Sequence, residues 1–237
     1  MLDKRTTIEA AIAQITDGAS VMVGGFGVPG TPFCLLAELV RQGQKRLTII
    51  KNDANESGMG VDLLIANGQV ARLVVSHLGL NPHAIERMNA GDIKVEFCAQ
   101  GILAERIRAA GAGLPAVLTD IGVDTLLADG KPVIEFEGQR CLVEKALPAD
   151  FALIHAERAD AFGNHTYAAS ARNFSPLMAM AAKTVIVEAE QLVAEGEIAP
   201  EAVHTPGPFV DTVVHLDELT EAYGVVRRGN EAVNRAG

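Results

Sequence analysis

Basic side chains are scarce in this sequence. Its 237 residues include 20 Lys and Arg against 30 Asp and Glu, which gives a formal net charge of −10 at pH 7. Proteins that bind nucleic acids hold the phosphate backbone with basic patches, so this balance excludes nucleic acid as the expected partner. An anionic ligand must be held by local donors instead, because the net charge of the whole protein repels it.

Long hydrophobic runs are also missing. Residues 1–10 contain no apolar segment of the kind found in signal peptides. No apolar run elsewhere in the sequence approaches the length of a membrane span. These absences predict a protein that has no contact with a membrane, and we expect a cytoplasmic location.

Patterns of metal ligands are missing as well. The three cysteines, Cys34, Cys98 and Cys141, are odd in number and far apart, which fits neither a disulfide framework nor a zinc site. His77 and His83 flank an Asn-Pro pair, but the surrounding sequence has no carboxylate pattern that would support a metal. We therefore expect reduced thiols and no metal site.

The sequence is rich in short apolar runs that alternate with helical patterns. Apolar residues make up 49% of the chain, which is enough for a sizeable core. Apolar runs without polar alternation, separated by helices, are typical of a parallel sheet that is covered on both faces. We predict an α/β fold with an open, mainly parallel sheet and helices on both faces. The predicted strands are 20–23, 47–50, 72–75, 93–98, 151–154 and 184–187.

This alternation breaks near the middle of the chain. Two β-like runs, 132–136 and 140–143, flank a short polar turn and predict a small β-hairpin layer beside the main sheet. No internal repeat, low-complexity tract or linker divides the sequence. We therefore predict one domain over residues 1–216, followed by a peripheral C-terminal tail, 217–237, in which apolar periodicity is lost.

A glycine-rich stretch follows the first predicted strand. Gly25-Phe26-Gly27-Val28-Pro29-Gly30 fits the G-x-G-x-x-G pattern of a dinucleotide-binding loop, and Asp53 ends the next strand, where a ribose-binding acid would lie. However, Thr31 suits the N-cap and Pro32 the first turn of the following helix. The third glycine then lies outside that helix and cannot pack inside it, as the dinucleotide fingerprint requires. An NAD-binding dehydrogenase and a purely structural turn remain alternatives to another ligand.

Several motifs along the chain resemble those of class I coenzyme A transferases, on the alpha subunit. The resemblance covers about residues 5–216, and its motifs occur in the family's order, which a chance match at one loop does not explain. The matching motifs are Asp17-Gly18 with Gly24-Gly25-Phe26, Gly30 and Pro32; 47–53; Gln100-Gly101 with Leu103 and 105–108; 111–113; Gly163-Asn164 with Thr166-Tyr167; 171–174; and 205–207.

The resemblance implies a ping-pong transfer of CoA between an acyl-CoA and a carboxylic acid. In two-chain members of the family the nucleophilic glutamate belongs to the beta subunit, and this chain has no segment in the matching residue order. Asn55-Glu56-Ser57-Gly58 has a different order, and we interpret Glu56 as an exposed glutamate at a helix start. The chain is therefore expected to provide half of an active site, with no cofactor besides CoA, which is a substrate.

The resemblance also implies roles for two groups of residues. Backbone donors of the glycine-rich stretch are expected near the thioester, with the Phe26 ring against the pantetheine arm or, alternatively, in the core. Asn52 and Gln100 follow strands, and their amides can bind a substrate carboxylate without adding charge, unless they only tie loops to the backbone. The expected CoA-binding residues are Gly24, Gly25, Phe26, Gly27, Val28, Pro29 and Gly30, and the expected substrate-binding residues are Asn52, Asp53, Gln100 and Gly101.

The resemblance further implies an assembly of two alpha and two beta chains. Asn52-Asp53 and the segment 76–82, Ser-His-Leu-Gly-Leu-Asn-Pro, resemble the acetate/acetoacetate branch. An ionised Asp53 would repel a second substrate carboxylate, unless it caps the next helix instead. We expect acetoacetate, acetate or butyrate as the acid. A 3-oxoadipate or succinyl-CoA:3-oxoacid transferase subunit is the alternative within the family, and a non-catalytic ligand-binding α/β protein is one outside it.

Overall fold

The structure is a computed structural model that describes residues 2–219. The predicted tail therefore lies outside the described residues, apart from 217–219. The strands are β1 Ser20–Val23, β2 Leu47–Ile50, β3 Val70–Val75, β4 Lys94–Phe97, β5 Ala116–Thr119, β6 Val133–Phe136, β7 Gln139–Lys145, β8 Ala149–Asp160, β9 His165–Thr166, β10 Ala182–Val193 and β11 Thr212–His215. The helices are α1 Ile8–Ile12, α2 Phe33–Gln42, α3 Val61–Ala66, α4 Pro82–Asn89, α5 Gln100–Gly111 and α6 Ser175–Ala181.

The main sheet is open and almost entirely parallel. Its strands follow the order β11-β10-β8-β1-β2-β3-β4, and every neighbouring pair in that order is parallel. The short strand β9 is added antiparallel to β8. A separate antiparallel sheet has the order β5-β7-β6, so the predicted hairpin β6–β7 has β5 as a third strand. The predicted fold class is confirmed.

Apolar side chains pack against both faces of the main sheet. On one face α1 to α4 bury a cluster that includes Ile12, Leu36 and Leu64. On the other face α5 and α6 bury a second cluster that includes Leu103 and Met178. Strands that are buried on both faces need continuous apolar runs, which is why the sequence pattern indicated a parallel sheet. Within residues 2–219 no helix is both long and apolar enough to cross a membrane.

The start of α2 differs from the prediction. Pro32, not Thr31, occupies the N-cap position, and no side chain caps this helix end from there. The Thr31 hydroxyl instead donates to the Gly27 carbonyl oxygen at 2.6 Å. The prediction that Thr31 caps α2 is therefore wrong, because its hydroxyl is used to close the loop that precedes the helix. The helix ends at Gln42, and Gly43 at its C-cap has a left-handed conformation with φ of 78°.

The strands β8 and β10 extend well beyond their apolar runs. They pair in register from Ala149 and Ala182 as far as Asp160 and Val193. Polar residues interrupt the apolar pattern in their second halves, so the sequence indicated only the first half of each strand. The edge strand β11 was not predicted, because four residues near the end of the pattern gave too short a signal.

A buried arginine joins the small sheet to the main body. Arg106, in α5, donates from Nε to the Lys145 carbonyl oxygen at 2.9 Å and from Nη1 to Glu96 Oε1 at 2.7 Å. Lys145 ends β7, and Glu96 lies on the edge strand β4. Arg106 therefore fixes the small sheet against α5, the helix that begins with Gln100.

Candidate active site

A cleft of about 70 Å³ lies at the carboxyl ends of β1, β2 and β3. Ligands of open parallel sheets bind at this edge, because the loops that follow the strands converge there. One wall is the glycine loop, defined here as residues 24–30. The lining residues are Phe26, Gly27 and Val28 of this loop, Asp53, Ala54, Asn55 and Glu56 after β2, and His77, Leu78, Leu80 and Asn81 after β3.

The backbone of the glycine loop requires glycine at two tightly packed positions. Gly25 and Gly30 have φ of 100° and 81°, in the left-handed region that other residues rarely adopt. A Cβ on Gly25 would lie 2.4 Å from Thr31 Oγ1, and one on Gly30 would lie 2.4 Å from the Ala171 carbonyl oxygen. Asn173 adds a hydrogen bond from Nδ2 to the Pro29 carbonyl oxygen at 3.0 Å. The loop is therefore a fixed wall of the cleft.

Three backbone N–H groups of the glycine loop donate to acceptors within the protein. The N–H of Gly24 donates to Leu153 O at 2.9 Å, and that of Phe26 donates to Pro29 O at 3.1 Å. The N–H of Gly27 donates to Asp53 Oδ2 at 2.8 Å. These three groups hold the loop in shape, so they do not point freely at a ligand as the sequence suggested.

The side chains of the glycine loop contribute apolar surface to the cleft. Phe26 is 46% exposed and lines the cleft, so it is not a core residue. Val28 lines the same wall and is half-buried. An exposed aromatic ring beside a cleft offers a flat apolar surface to a flexible ligand chain. Of the two interpretations of Phe26, the structure favours the ligand-facing one.

Gly27 is held by a group of polar side chains that we call the Gly27 clamp: Lys51, Asp53 and Asn55. Asp53 accepts the Gly27 N–H, as described above. The Gly27 carbonyl oxygen accepts from Asn55 Nδ2 at 2.8 Å and from Lys51 Nζ at 3.4 Å. Both polar groups of one peptide residue are thereby fixed by the segment that follows β2. The clamp sets the position of the glycine loop relative to the rest of the cleft.

The Gly27 clamp contains a buried ion pair. Lys51 Nζ lies 3.1 Å from Asp53 Oδ1, and the Lys51 side chain is completely buried. Burial lowers the pKa of Lys51, and the charge of Asp53 opposes that change. Burial alone would raise the pKa of Asp53, but the Lys51 charge and hydrogen bonds from Gly27, Asn55 and Asn52 outweigh it and lower that pKa. Asp53 is therefore an ionised acceptor at neutral pH.

This pairing changes the expected role of Asp53. Its charge is balanced by Lys51, so its repulsion of a second substrate carboxylate is weaker than the sequence suggested. The alternative that Asp53 caps the next helix is wrong, because the first N–H of α3, on Val61, donates to Asn55 Oδ1 at 3.1 Å. Asp53 instead accepts the backbone N–H of Asn55 at 2.9 Å and that of Gly27. Its main contacts are with the protein.

The other predicted substrate residues lie beneath and beside the cleft. Asn52 is completely buried, donates from Nδ2 to Asp53 Oδ2 at 3.0 Å, and accepts at Oδ1 from Gln100 Nε2 at 2.7 Å. Gln100 and Gly101 form the exposed first turn of α5. The structure thus links Asn52 to Gln100 and Asp53, but of these predicted residues only Asp53 lines the cleft. Their direct contact with substrate stays a prediction.

Glu56 is exposed, as expected, but it is not at the start of a helix. It belongs to the turn before α3, which begins at Val61, and it lines the mouth of the cleft. Among residues 2–219 no group of three or more His, Cys, Asp and Glu side chains is placed to hold a metal ion.

Lys51, Ser76 and His77 are site residues that the sequence pattern did not indicate as a group. The signal for Lys51 was a lysine directly after the apolar strand Leu47–Ile50, since a charge at that place must be buried with a partner. His77 lines the cleft, and its Nδ1 lies 3.0 Å from Ser76 Oγ. No sequence signal distinguished this histidine from the others, because its role depends on the position of β3 beside β2.

Comparison with known families agrees with the motifs of the site. The model of the family described as coenzyme A transferase matches residues 5–216. This chain belongs to that family. The glycine loop and the Gly27 clamp both lie inside the matched region.

Named relatives of this coenzyme A transferase family member are described as enzyme subunits. The alpha subunit of a probable coenzyme A transferase of Bacillus subtilis is 48% identical and is aligned over 90% of this chain and 94% of its own length. The alpha subunit of the acetate CoA-transferase of Escherichia coli is 42% identical over 92% and 99%. One subunit of the 3-oxoadipate CoA-transferase of Acinetobacter baylyi is 44% identical over 90% and 95%. Identity alone does not distinguish the acids named for these relatives.

A solved structure similar to this family member is that of the decarboxylase AibA/AibB, in a variant form. It is 33% identical, has a TM-score of 0.78, and the alignment covers 90% of this chain and 82% of that chain. The chain fold is therefore shared with a protein that is named for a different reaction. Membership of the coenzyme A transferase family sets the fold, while the reaction depends on the residues at the cleft.

The amino end of α2 is not available to phosphate in this coenzyme A transferase family member. The backbone N–H of Leu35, in the first turn of α2, donates to Glu188 Oε2 at 2.7 Å. A dinucleotide-binding loop places the pyrophosphate at this helix end. Here a buried carboxylate already occupies it, so the structure opposes the dehydrogenase alternative.

Glu188 also belongs to a buried cluster with His155 and Glu190. His155 Nδ1 lies 2.9 Å from Glu188 Oε1, and Nε2 lies 3.1 Å from Glu190 Oε1. Burial by itself would lower the pKa of His155, but the two carboxylates outweigh it and raise that pKa to about 9. The imidazolium keeps the Glu188 carboxylate in place at the end of α2.

We expect the stability of this protein to fall between pH 6.5 and pH 9 because of His155. Its pKa is raised from 6.5 to about 9 on folding. The stabilisation is therefore fully present below the unfolded value and is lost as the pH rises through the folded value, an effect on the order of 3 kcal/mol. Urea unfolding across this range measures it. In His155→Gln the pH dependence should be much smaller, and an equal slope in both proteins would contradict the assignment.

Proposed function

We propose that this chain is the alpha subunit of a coenzyme A transferase that moves CoA between an acyl-CoA and a short carboxylic or 3-oxo acid. The observation that supports this most is the cleft itself. Its wall is the family's glycine loop, and its described lining consists of apolar and amide side chains together with Asp53, His77 and the exposed Glu56 at the mouth. Such a cleft can hold a thioester and an acyl chain, but its buried carboxylate, Asp53, is already held by Lys51 and backbone donors and is not free to attack. It is suited to completion by a second chain.

The proposed reaction has two covalent steps at a glutamate of the partner chain. The glutamate carboxylate attacks the thioester carbonyl, the C–S bond breaks, and CoA leaves as a thiolate while a mixed anhydride forms. The thiolate then attacks the glutamyl carbonyl, which releases the acid and leaves a glutamyl-CoA thioester. A second acid takes the CoA by the reverse steps. Each step is an acyl transfer, which covalent catalysis divides into smaller barriers.

Under this proposal the residues of this chain bind and orient the substrates. Phe26 and Val28 provide an apolar wall for the pantetheine arm, and the Gly27 clamp fixes that wall. Leu78 and Leu80 line the part of the cleft after β3 and suit a short acyl chain. Leu80 is 67% exposed in this chain alone, which suits a position where a partner closes over the substrate.

We further propose an assembly of two alpha and two beta chains. The relatives are named as single subunits of larger enzymes, two of them as alpha subunits, which implies a partner of the other kind. The small antiparallel sheet and the loop beside it expose several large apolar side chains, which a partner chain can cover. They are Leu118, Ile121, Leu126, Ile134 and Phe136. Native mass spectrometry at micromolar concentration, with both chains present, tests this assembly, and monomers alone would contradict it.

The proposed acids are acetoacetate, acetate or butyrate. No Lys or Arg side chain is among the described residues that line the cleft, so a distal carboxylate has no cation to bind there. The apolar Leu78 and Leu80 favour a short alkyl group instead. This reason replaces the one based on the charge of Asp53, which Lys51 balances. A 3-oxoadipate or succinyl-CoA:3-oxoacid specificity is the alternative, since relatives with such names are about equally similar.

We expect kcat/KM of the complex for butyrate or acetoacetate to exceed that for succinate and 3-oxoadipate by about tenfold or more. An unpartnered charged group in an apolar cleft costs roughly 1–3 kcal/mol, which corresponds to this range. Initial rates with each acid and a common acyl-CoA donor measure the ratio. A preference for succinate or 3-oxoadipate would reject this substrate class while leaving the transfer reaction in place.

A further inference from the structure

A chain of hydrogen bonds connects the Gly27 clamp to His77, which lines the same cleft after β3. It begins at the Lys51–Asp53 ion pair and passes through Asn52 and Ser76 to the His77 ring. Each group in the chain has a limited number of protons and lone pairs. The direction of every hydrogen bond can therefore be assigned from the ion pair outwards.

The amide of Asn52 is oriented by Asp53. Ionised Asp53 can only accept, so the Asn52 atom that lies 3.0 Å from its carboxylate must be Nδ2. The other atom of the amide is then Oδ1, which accepts from Gln100 Nε2 at 2.7 Å. Asn52 is completely buried, which prevents water from offering a different arrangement. Its Oδ1 is thus an acceptor toward Ser76 as well.

The orientation of Asn52 determines that of the Ser76 hydroxyl. Ser76 Oγ lies 2.7 Å from the Asn52 carbonyl oxygen and 2.9 Å from Asn52 Oδ1. Both atoms are acceptors, so the single proton of Ser76 points toward Asn52. A lone pair of Ser76 Oγ is then directed at His77 Nδ1, which lies 3.0 Å away.

His77 must donate to Ser76, and this selects its tautomer. Nδ1 carries the proton, so in the neutral ring Nε2 is an acceptor with a lone pair. Nε2 is the ring nitrogen that remains for the cleft, and within residues 2–219 no other hydrogen bond to the His77 ring is found. The two amide side chains that line the cleft donate elsewhere: Asn55 Nδ2 to the Gly27 carbonyl oxygen, and Asn81 Nδ2 to the Ala54 carbonyl oxygen and Asp62.

We propose that His77 is a specificity-determining residue whose Nε2 accepts a hydrogen bond from an N–H or O–H group of the bound substrate. The identity of that substrate rests on the proposed function. A deprotonated carboxylate has no proton to give, so the neutral ring does not recognise it. The pantetheine arm of the proposed acyl-CoA has such donors in its amide N–H groups, and a short acid that carries a hydroxyl in place of the 3-oxo group would supply another. His77 selects one of them.

The tautomer can be measured directly on the full chain. Long-range ¹H–¹⁵N correlation spectra of histidine-labelled protein distinguish a nitrogen that holds a proton from one with a lone pair, and His77→Asn identifies the His77 signals. We expect a lone pair at Nε2 in the neutral ring. In Ser76→Ala the two tautomers should mix. A proton on Nε2 in the unaltered chain would overturn the proposal.

Kinetics of the alpha–beta complex identify the donor. One pair of thioesters consists of an acyl N-acetylcysteamine and the analogue in which an ester oxygen replaces its N–H. One pair of acids is 3-hydroxybutyrate and butyrate. His77→Asn keeps a polar group near Ser76 but has no atom at the position of Nε2, whereas His77→Gln places an acceptor oxygen near it. We expect His77→Asn to lower kcat/KM roughly 3- to 10-fold for the donor-bearing member of one pair only.

The outcomes show whether the donor to His77 belongs to the CoA arm or to the acid, and whether His77 has only a structural role. A selective loss with the amide thioester assigns the donor to the CoA arm, and a selective loss with 3-hydroxybutyrate assigns it to the acid. In either case, recovery of kcat/KM in His77→Gln supports an acceptor at the position of Nε2. An equal loss for both members of each pair, or no loss, would overturn the proposal. His215→Asn, at an exposed histidine at the end of β11 outside the cleft, should change neither ratio.

This design also separates failure of His77 from failure of the proposed function. If the unaltered complex transfers no CoA between any thioester and acid, the proposed function is rejected. The tautomer spectra need no activity, so they still decide whether Nε2 is an acceptor in the cleft. If the unaltered complex is active but the donor-bearing pairs show no selective loss, only the role of His77 is rejected.

Discussion

The purified chain assayed alone will transfer no CoA, and addition of its beta subunit will produce turnover. The reason is that neither carboxylate among the described residues of the cleft is suited to act as the nucleophile. Asp53 is held by Lys51 and by the N–H groups of Gly27 and Asn55, and Glu56 lies exposed at the mouth. Loss of a nucleophile reduces turnover by factors of about 10³ or more, so the difference should be the largest of any experiment on this chain. Exchange between labelled acetate and acetoacetyl-CoA measures it, with each chain alone as control.

Glu56→Ala in the complex tests whether the exposed glutamate of this chain is the nucleophile. We expect the complex to retain activity within about tenfold, because Glu56 affects only the charge at the cleft mouth. A loss of about 10³-fold or more would identify Glu56 as the nucleophile. Full turnover by the highly purified single chain would show that the nucleophile belongs to this chain, which would then not be half of an active site.

Removal of one partner of the Lys51–Asp53 pair will strongly lower the free energy of unfolding of this chain. Asp53→Asn leaves the Lys51 ammonium buried without a counter-charge and weakens the acceptor for the Gly27 N–H. Breaking a buried ion pair in this way costs about 3–5 kcal/mol of the free energy of unfolding. Urea unfolding measures this loss. We also expect a lower kcat/KM for acyl-CoA in the complex, because the glycine loop is no longer fixed.

Asp124→Asn is the matched control for Asp53→Asn. Asp124 pairs with Arg140 at 2.8 Å, but both side chains of that pair are more than half exposed. The same chemical change there should alter the free energy of unfolding by less than about 1 kcal/mol, since exposed ion pairs contribute little. Lys51→Met should destabilise the chain as Asp53→Asn does. If the Asp53 and Asp124 variants were equally stable, the Gly27 clamp would not hold the fold at this edge.

The main sheet could be predicted from the sequence because burial on both faces leaves a direct pattern. Apolar runs without alternation indicated the positions of β1 to β4 and the first halves of β8 and β10. The second halves were not predictable, because residues such as His155 and Glu188 interrupt the apolar run and are tolerated only as a paired cluster. The third strand of the small sheet, β5, also had no clear pattern, since one face of that sheet is exposed.

The candidate site was predictable in its loops but not in its hydrogen bonds. The glycine loop and the Asn52-Asp53 pair were recognisable as motifs, whereas their contacts depend on which groups the fold brings together. Lys51 balances Asp53 and thereby changes the electrostatic expectation for the substrate. His77 became significant only when β3 placed Ser76 against Asn52, a contact between positions 24 residues apart in the chain.

The carboxylate of Glu188 at the amino end of α2 also limits how this chain can evolve. The glycine loop already has the glycine spacing of a dinucleotide-binding loop, yet no change within the loop would free the helix end for a phosphate. Loss of Glu188 alone would leave the buried His155 imidazolium with one carboxylate instead of two. The remaining carboxylate would offset less of the unfavourable free energy of burying that charge. Several positions on two strands would have to change together. Nucleotide binding at the amino end of α2 therefore cannot be acquired by single, individually tolerated substitutions. Substitutions that change the ligand are expected instead in the segments after β2 and β3.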